Sequence, residues 1–508
     1  MSLVFLRKTI SNERKIMSDK LLKAREYEKV KEKQIDETLK PLFHLIPRAG
    51  WMNDPNGFSF YNGMYHMFYQ YYPYDTCWGP MHWGHAVSKD LLNWENLPAA
   101  LAPDSSYDSF GCFSGSAIET EDGKHMIMYT GVVKNELESG EVQELQQQCI
   151  AIGDGIEYSK LDVNPVIRSE DLPAGCRISD FRDPKMWKEN GTYYVVLGSR
   201  TEDFDGQLLK YSSKDGINWK YEGVIIKNDK RFGLMWECPD YFPLDDKQLV
   251  VVSPQDMLPE ELEFHNGNGT VCIIGHLDEN GTFCEENSQA IDYGIDFYAP
   301  QTILMEDGRR VMIGWLQNWD TVPIRRDDFP WFGQLSIPRE ISLKDGRLIQ
   351  KPIREIENYY KSRISRQNVA INEECSLSGI EGRVIDMTVN IRPAEGEDMY
   401  KKFQIKFADN GKAYSTITYD PEDSIVKIDR KHSGSRRAIV HQRRCSVKRN
   451  NGEITFRLIL DRYSVELFIN EGEQVMSMAI FTDYKADGIT FKASGQAKMD
   501  LVMYGLDK

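Results

Sequence analysis

The sequence predicts an all-β protein: a five-bladed β-propeller followed by a C-terminal antiparallel β-sandwich, with a short N-terminal helix. Three observations carry this expectation. A hairpin signal recurs five times between residues 61 and 315. A second turn signal repeats in step with it. From about residue 366 the repeat stops and alternating strand patterns take over.

The chain has 508 residues, too many for one ordinary core, so two domains are expected. Apolar residues make up 41% and aromatics 11%, the composition of a packed globular protein rather than a disordered one. A net charge of −16 argues against nucleic acid as a partner, because that needs a basic face.

Residues 1–40 read as an N-terminal helical segment. The apolar stretch Leu3 to Leu6 is too short for a signal peptide, and no stretch reaches the ~18 apolar residues of a membrane span. A cytoplasmic location without a membrane partner is therefore expected. Residues 18–39 are charged and proline-free, a surface helix opened by a Ser18 or Asp19 cap. Met17 just before it offers an alternative start. Nine cysteines show no C-x-x-C pair and no metal-like spacing with histidine, so they read as reduced thiols. The N-G-T triplets at Asn190, Asn268 and Asn280 read as turns.

Residues 41–350 hold the repeat: YNGMYHMFYQ (61–70), EDGKHMIMYTG (121–131), ENGTYYVVLGS (189–199), DDKQLVVVSP (245–254) and EDGRRVMIGW (306–315). Each is a polar turn leading into a buried strand. SKDLLNW (88–94), SKDGINW (213–219) and the fainter IGDGIEY (152–158) form the second signal. Each unit has room for about four strands, which points to radial blades rather than an irregular sandwich.

The stretch WMNDPNG (51–57) raises the functional question. Asp54-Pro55-Asn56-Gly57 fits a type I turn, so Asp54 has a turn-capping reading as well as a chemical one. Aligning the five units decides between them. About ten residues before each turn stand Asp54, Phe113-Ser114, Arg182-Asp183, Glu237, and Asp296 with Tyr298. Three of these positions carry an acid followed within two residues by proline. Proline favours extended geometry before it, so each acid is expected at the mouth of a strand. Three carboxylates gathered at one end of a funnel cost stability, which favours chemistry.

Two carboxyl groups facing one bond equip a chain for glycoside hydrolysis, one as nucleophile or base and the other as proton donor. A metal is not expected, since no EF-hand loop or dense acidic run is present. Trp51, Trp78, Trp83, Trp315 and Trp319 lie near the expected funnel, with Trp83 reading as packing between blades. His82 and His85 read as structural.

Seven ordered motifs now carry a resemblance: WMNDPNG (51–57), FYQYYP (68–73), WGPMHWGHA (78–86), CFSGSA (112–117), FRDP (181–184), ECPD (237–240) and DFYAPQ (296–301). Over about residues 40 to 508 the chain resembles glycoside hydrolase family 32, which includes invertases, sucrose-6-phosphate hydrolases, inulinases and levanases. The resemblance implies a retaining β-fructofuranosidase acting on a small-molecule β-fructoside, with no cofactor. It makes Asp54 the nucleophile, Glu237 the acid/base and Asp183 the stabiliser of the fructosyl unit. Negative neighbours are expected to favour the protonated Glu237, and Arg182 to keep Asp183 ionised. Substrate contacts are implied for Trp51, Met52, Asn53, Gln70, Trp78, Phe113, Ser114, Arg182, Tyr298 and Trp315. A phosphorylated substrate would need a basic rim, for which Arg48, Arg177, Arg200, Arg325 and Arg326 are candidates.

Residues 351–365 read as a linker and 366–508 as the sandwich, with strands in KAYSTITYDP (412–421) and EITFRLILDRYSVELFIN (453–470). Asp461 and Glu466 read as structural or surface groups, and dimerisation through this domain stays open. Two rivals remain: a five-bladed pentosidase, and a sugar-binding protein on an inactive propeller. The presence of all three acids argues against the second.

Overall fold

The computed structural model describes residues 17–324, 329–437 and 440–508. The stretch Leu3 to Leu6 and the pair Arg325 and Arg326 lie outside the described residues. Helix α1 (Asp19–Glu32) starts at Ser18, whose hydroxyl accepts from Leu21 N. No helix among the described residues is long and apolar enough to cross a membrane.

Five sheets form the propeller. Blade I begins with Gly50–Tyr61, blade II with Gly111–Glu119, blade III with Cys176–Glu189, blade IV with Met235–Leu244 and blade V with Tyr298–Leu304. These five first strands pack side by side in a closed ring, I on II, II on III, III on IV, IV on V and V on I. The five sequence repeats are the turns joining first and second strands of the blades, as at 61–64, 119–125 and 189–192. The second signal joins third and fourth strands. There Asp90, Asp154 and Asp215 each accept from two backbone N–H groups two and three residues on, which fixes the same tight turn three times.

Ring closure relies on a detour in blade V. Between its second and third strands the chain reaches back as Trp331–Phe332, which pairs parallel with Gly50 and Trp51 of blade I. Phe332 stacks on Trp51 with centroids 4.5 Å apart. Arg347–Pro352 completes blade V and a sandwich strand starts at Tyr360, so the connection is shorter than the expected 351–365 linker.

The sandwich packs a six-stranded sheet on a five-stranded one. Its core is continuous with the propeller: Val250, Val252 and Ile273 of blade IV belong to the same cluster as Met387, Phe403 and Leu458. A buried polar network crosses the same interface. Glu466 accepts from Arg339 of blade V at 2.7 and 3.0 Å, while His44 bridges Glu466 (3.1 Å) and Asp461 (2.9 Å). Asp461 and Glu466 are therefore fully buried domain cement rather than surface groups. Asp296, aligned in sequence with the funnel acids, pairs instead with Arg430 of the sandwich.

Blades I and II share a second buried cluster. His66 Nδ1 meets His85 Nε2 at 3.0 Å, and His125 bonds Ser59 and Tyr158 at 2.9 and 2.7 Å. Burial pushes all three imidazoles down, His66 to about 4, His125 to about 3 and His85 well below its ordinary value. The unfolded chain then binds more protons than the folded one between pH 6.5 and 4. The contribution of this cluster to stability is full above pH 6.5 and falls as the pH drops through that window. Urea midpoints at pH 7.5 and pH 5 check this; the value at pH 5 is expected to be clearly lower.

Candidate active site

Each first strand of the propeller carries a β-bulge at the same level. In blade I, Asn53 and Asp54 face Gln70 alone; in blade III, Asp183 and Pro184 face Leu197. In blade IV, Cys238 and Pro239 face Val252, and in blade V, Ala299 and Pro300 face Gly314. Blade II has its extra residue at Ser114. A bulge inserts a residue without a partner and re-aims its side chain, so five bulges at one level turn five side chains toward one centre.

This arrangement corrects two expectations. WMNDPNG contains no chain reversal: Gly50–Tyr61 is one continuous strand with two bulges. Proline does not hold Asp183 or Cys238 extended either, since these have φ of 63° and 46°. The bulge geometry overrides the local preference. It also shows that Glu237 sits one position before the residue equivalent to Asp54 and Asp183. That equivalent residue is Cys238, and Glu237 matches Asn53, Phe113, Arg182 and Tyr298.

The three acids come together. Asp54 Oδ2 accepts from Ser114 Oγ at 2.6 Å, and its Oδ1 accepts from Asn53 Nδ2 at 3.0 Å. Asn53 is held in turn by Trp51 Nε1 at 2.7 Å. Asp183 Oδ2 accepts from Cys238 N at 2.8 Å. The Cys238 thiol lies between the two aspartates, 3.4 Å from Asp54 and 3.6 Å from Asp183. Glu237 Oε1 accepts from Arg182 at 3.1 Å, and Oε2 lies 2.7 Å from Tyr298 Oη. Glu237 is the most open of the three, its side chain 16% exposed, against 9% for the whole Asp54 residue and 5% for Asp183.

Burial raises the Asp54 carboxyl above its usual range, and the charge of Glu237 adds to the shift. Asp183 is also raised well above that range, first by burial and then by Glu237 and Asp54. Arg182 does not hold Asp183 at an ordinary carboxylate value, as the sequence suggested. Its ion pairs go to Glu237 and to Asp180, at 3.1 and 3.2 Å.

Gln70 is buried beneath Asp54 and donates to Cys112 O at 3.0 Å. Trp78 and Phe113 meet edge-on at 6.1 Å on the rim, with Trp78 exposed. Met52 points away from the centre into the core with Met67 and Tyr69, so it is not a contact residue. Trp51 and Trp315 are also fully buried, which corrects both as contacts. They support Trp319, stacked 6.1 Å from Trp51 and packed 5.0 Å from Trp315. Cys238 and Asp180 were missed; aligning the five residues in front of Pro or Gly would have found the first.

Two family models match the chain: the glycosyl hydrolases family 32 N-terminal domain over residues 44–352 and the family 32 C terminal over 355–504. The chain belongs to glycosyl hydrolase family 32. It is 37% identical to a raffinose invertase of Escherichia coli, covering 87% of this chain and 89% of the relative. A sucrose-6-phosphate hydrolase of Bacillus subtilis is 32% identical, covering 96% and 99%. Among solved structures, a family 32 β-fructofuranosidase of Bombyx mori superposes with a TM-score of 0.82 at 34% identity, covering 96% and 98%.

Proposed function

We propose that this chain is a retaining β-fructofuranosidase that cleaves terminal fructosyl units from sucrose, sucrose 6-phosphate and short fructo-oligosaccharides. The observation that carries the reading is the difference between the two ends of the acid cluster. Asp54 lies deep and is clamped by Ser114 and Asn53; Glu237 lies at the open side, with Arg182 and Tyr298 as partners. A nucleophile needs fixed aim, and a proton donor needs access to the departing sugar.

In this reading Asp54 attacks the anomeric C2 of fructose while Glu237 passes its proton to the glycosidic oxygen, and the C2–O bond breaks. Glu237 then takes a proton from water, the water attacks C2, and Asp54 leaves with the configuration retained. Asp183 accepts hydrogen bonds from fructose hydroxyls as positive charge develops on the ring. Tyr298 Oη suits both states of Glu237, because it also lies 3.0 Å from the Ser253 carbonyl. It donates to Glu237 when that group is ionised. It donates to Ser253 O and accepts from Glu237 when that group is protonated. Nine free thiols support a reducing, cytoplasmic setting.

The test is kcat/KM for sucrose, raffinose and kestose with released fructose as readout. Turnover is expected, and its absence on all three would sink the reading. Glu237→Ala is expected to lower kcat on sucrose by about three to four orders of magnitude. Fructosides with good leaving groups need no proton, so the first step on them is largely spared. An equal loss in the rate of the first step, read as the burst of released leaving group, on both substrate types would remove Glu237 as donor.

A further inference from the structure

We infer that Asp180 is a positioning residue for the proton donor: it holds Arg182 and balances its charge, so that Glu237 keeps a proton while touching a guanidinium. The inference rests on the fructoside hydrolysis proposed above and adds a residue that lies just outside the FRDP motif.

Arg182 poses a chemical difficulty. A cation in contact with a carboxyl group favours its ionised form, yet a general acid must carry its proton at the working pH. Arg182 is 7% exposed, and its Nε and Nη2 both lie 3.1 Å from Glu237 Oε1. Little water screens a pair at this depth, so an unbalanced Arg182 would hold Glu237 ionised.

Asp180 supplies the balance. It is buried, and its Oδ1 accepts from Arg182 Nη1 at 3.2 Å. Gln146 Oε1 accepts from the same nitrogen at 3.2 Å and from Phe181 N at 2.9 Å. The guanidinium is thereby fixed in its plane, with one edge toward Glu237 and the remaining nitrogen toward Asp180 and Gln146. One cation is shared between two carboxyl groups.

The balancing group is itself held in place. Asp180 Oδ2 accepts from Arg200 at 2.6 and 3.0 Å, from Arg177 Nε at 3.3 Å and from Ser179 Oγ at 3.3 Å. Arg177 and Arg200 pack on one ring, 4.9 and 5.0 Å from the centre of Phe204. Burial opposes the charge of Asp180, but Arg182 and Arg200 outweigh it and hold the carboxyl below its ordinary value. Asp180 therefore stays anionic at neutral pH.

The other groups that face Glu237 bring no positive charge. Tyr298 of blade V, at 2.7 Å, is a phenol that burial raises well above its ordinary value. Cys238, next in the strand, is a thiol raised in the same way. Asp54 of blade I and Asp183 of blade III are raised by burial and by the charge of Glu237. Among the described residues Arg182 is the one cation paired with Glu237.

The test is the pH profile of kcat/KM on sucrose for the parent chain, Asp180→Asn, Asp180→Glu and Arg200→Gln. The basic limb of that profile reports the proton donor of the free enzyme. Asp180→Asn leaves Arg182 unbalanced and is expected to move the limb about one pH unit lower, a loss of about tenfold above neutrality and little in acid. Asp180→Glu keeps the charge and is expected to restore most of the parent limb. Arg200→Gln removes a cation from the other side of Asp180 and is expected to move the limb upward, by less. Opposite shifts from two neutralising substitutions mark electrostatics, since lost packing lowers activity equally at every pH. On a fructoside with a good leaving group the first step needs no proton, and the Asp180→Asn burst is expected to match the parent. An unmoved basic limb in Asp180→Asn, or a limb in Arg200→Gln that moves down or stays, would overturn the role of Asp180 and leave the hydrolase reading standing. A parent chain that releases no fructose would overturn both.

Discussion

Asp54→Asn is expected to lower kcat on sucrose by about five orders of magnitude, ~7 kcal/mol of transition-state stabilisation, and to raise the melting temperature at pH 7. The activity loss follows from removing the atom that forms the covalent bond; the amide keeps the shape and can still accept from Ser114. The stability gain follows from the electrostatics. Asp54 and Asp183 are raised carboxyls, both shifted by burial and by the charge of Glu237, and Asp183 by that of Asp54 as well. A carboxyl whose folded pKa exceeds its unfolded value costs stability as the pH rises through the folded value. Neutralising one of three crowded charges therefore relieves a strain that the fold accepts for function. Thermal unfolding and single-turnover assays check both halves. An Asp54→Asn protein that melts lower at pH 7 would contradict the electrostatic argument.

Glu466→Ala is expected to destabilise the protein by about 3–5 kcal/mol, because it strands a buried partner rather than removing a pair. Arg339 is fully buried and loses its contacts at 2.7 and 3.0 Å. Its remaining partners are Asp292 at 3.0 Å, Gln350 at 3.1 Å and Ser477 at 2.6 Å. Ile337 N also loses its acceptor at 2.8 Å, and His44 loses one of its two carboxylates. His44 gives this interface a pH signature. Burial opposes its charge, but Asp461 and Glu466 outweigh it and raise the imidazole to about 9. A raised histidine contributes stability that is complete below pH 6.5 and is lost as the pH climbs through about 9. Urea unfolding of the parent protein at pH 7 and pH 9.5 is expected to show that loss, and Glu466→Ala to show less of it. An unchanged urea midpoint in Glu466→Ala at pH 7 would contradict the role given to the network.

The propeller was legible because its signals are local. Turns such as Asn62-Gly63 and Asn190-Gly191 declare themselves within four residues, and each opens onto a run of buried β-formers. The acids were legible through the same repeat. Their exact register was not, because a bulge depends on the strand opposite: that Asn53 and Asp54 share Gln70 is a fact about two strands. Hence Glu237 appeared level with Asp54 when Cys238 is, and Met52 and Trp51 appeared to face the sugar when both are buried. The interface network was hidden by distance. His44 and Asp461 lie 417 positions apart, and an acid in a strand signature looks the same in sequence whether its partner is water or a buried imidazole.

The most direct test of the central claim is to find where the sugar becomes attached. Glu237→Ala enzyme, incubated with a fructoside bearing a good leaving group, lacks the base for the second step and is expected to accumulate the covalent intermediate. Quenched in acid, digested and mapped by mass spectrometry, it is predicted to carry one fructosyl unit on the peptide that contains Asp54. The same protein with Asp54→Asn added is predicted to carry none. A fructosyl unit on the Asp183 peptide, or rapid turnover with no labelled peptide and inverted product, would contradict the account.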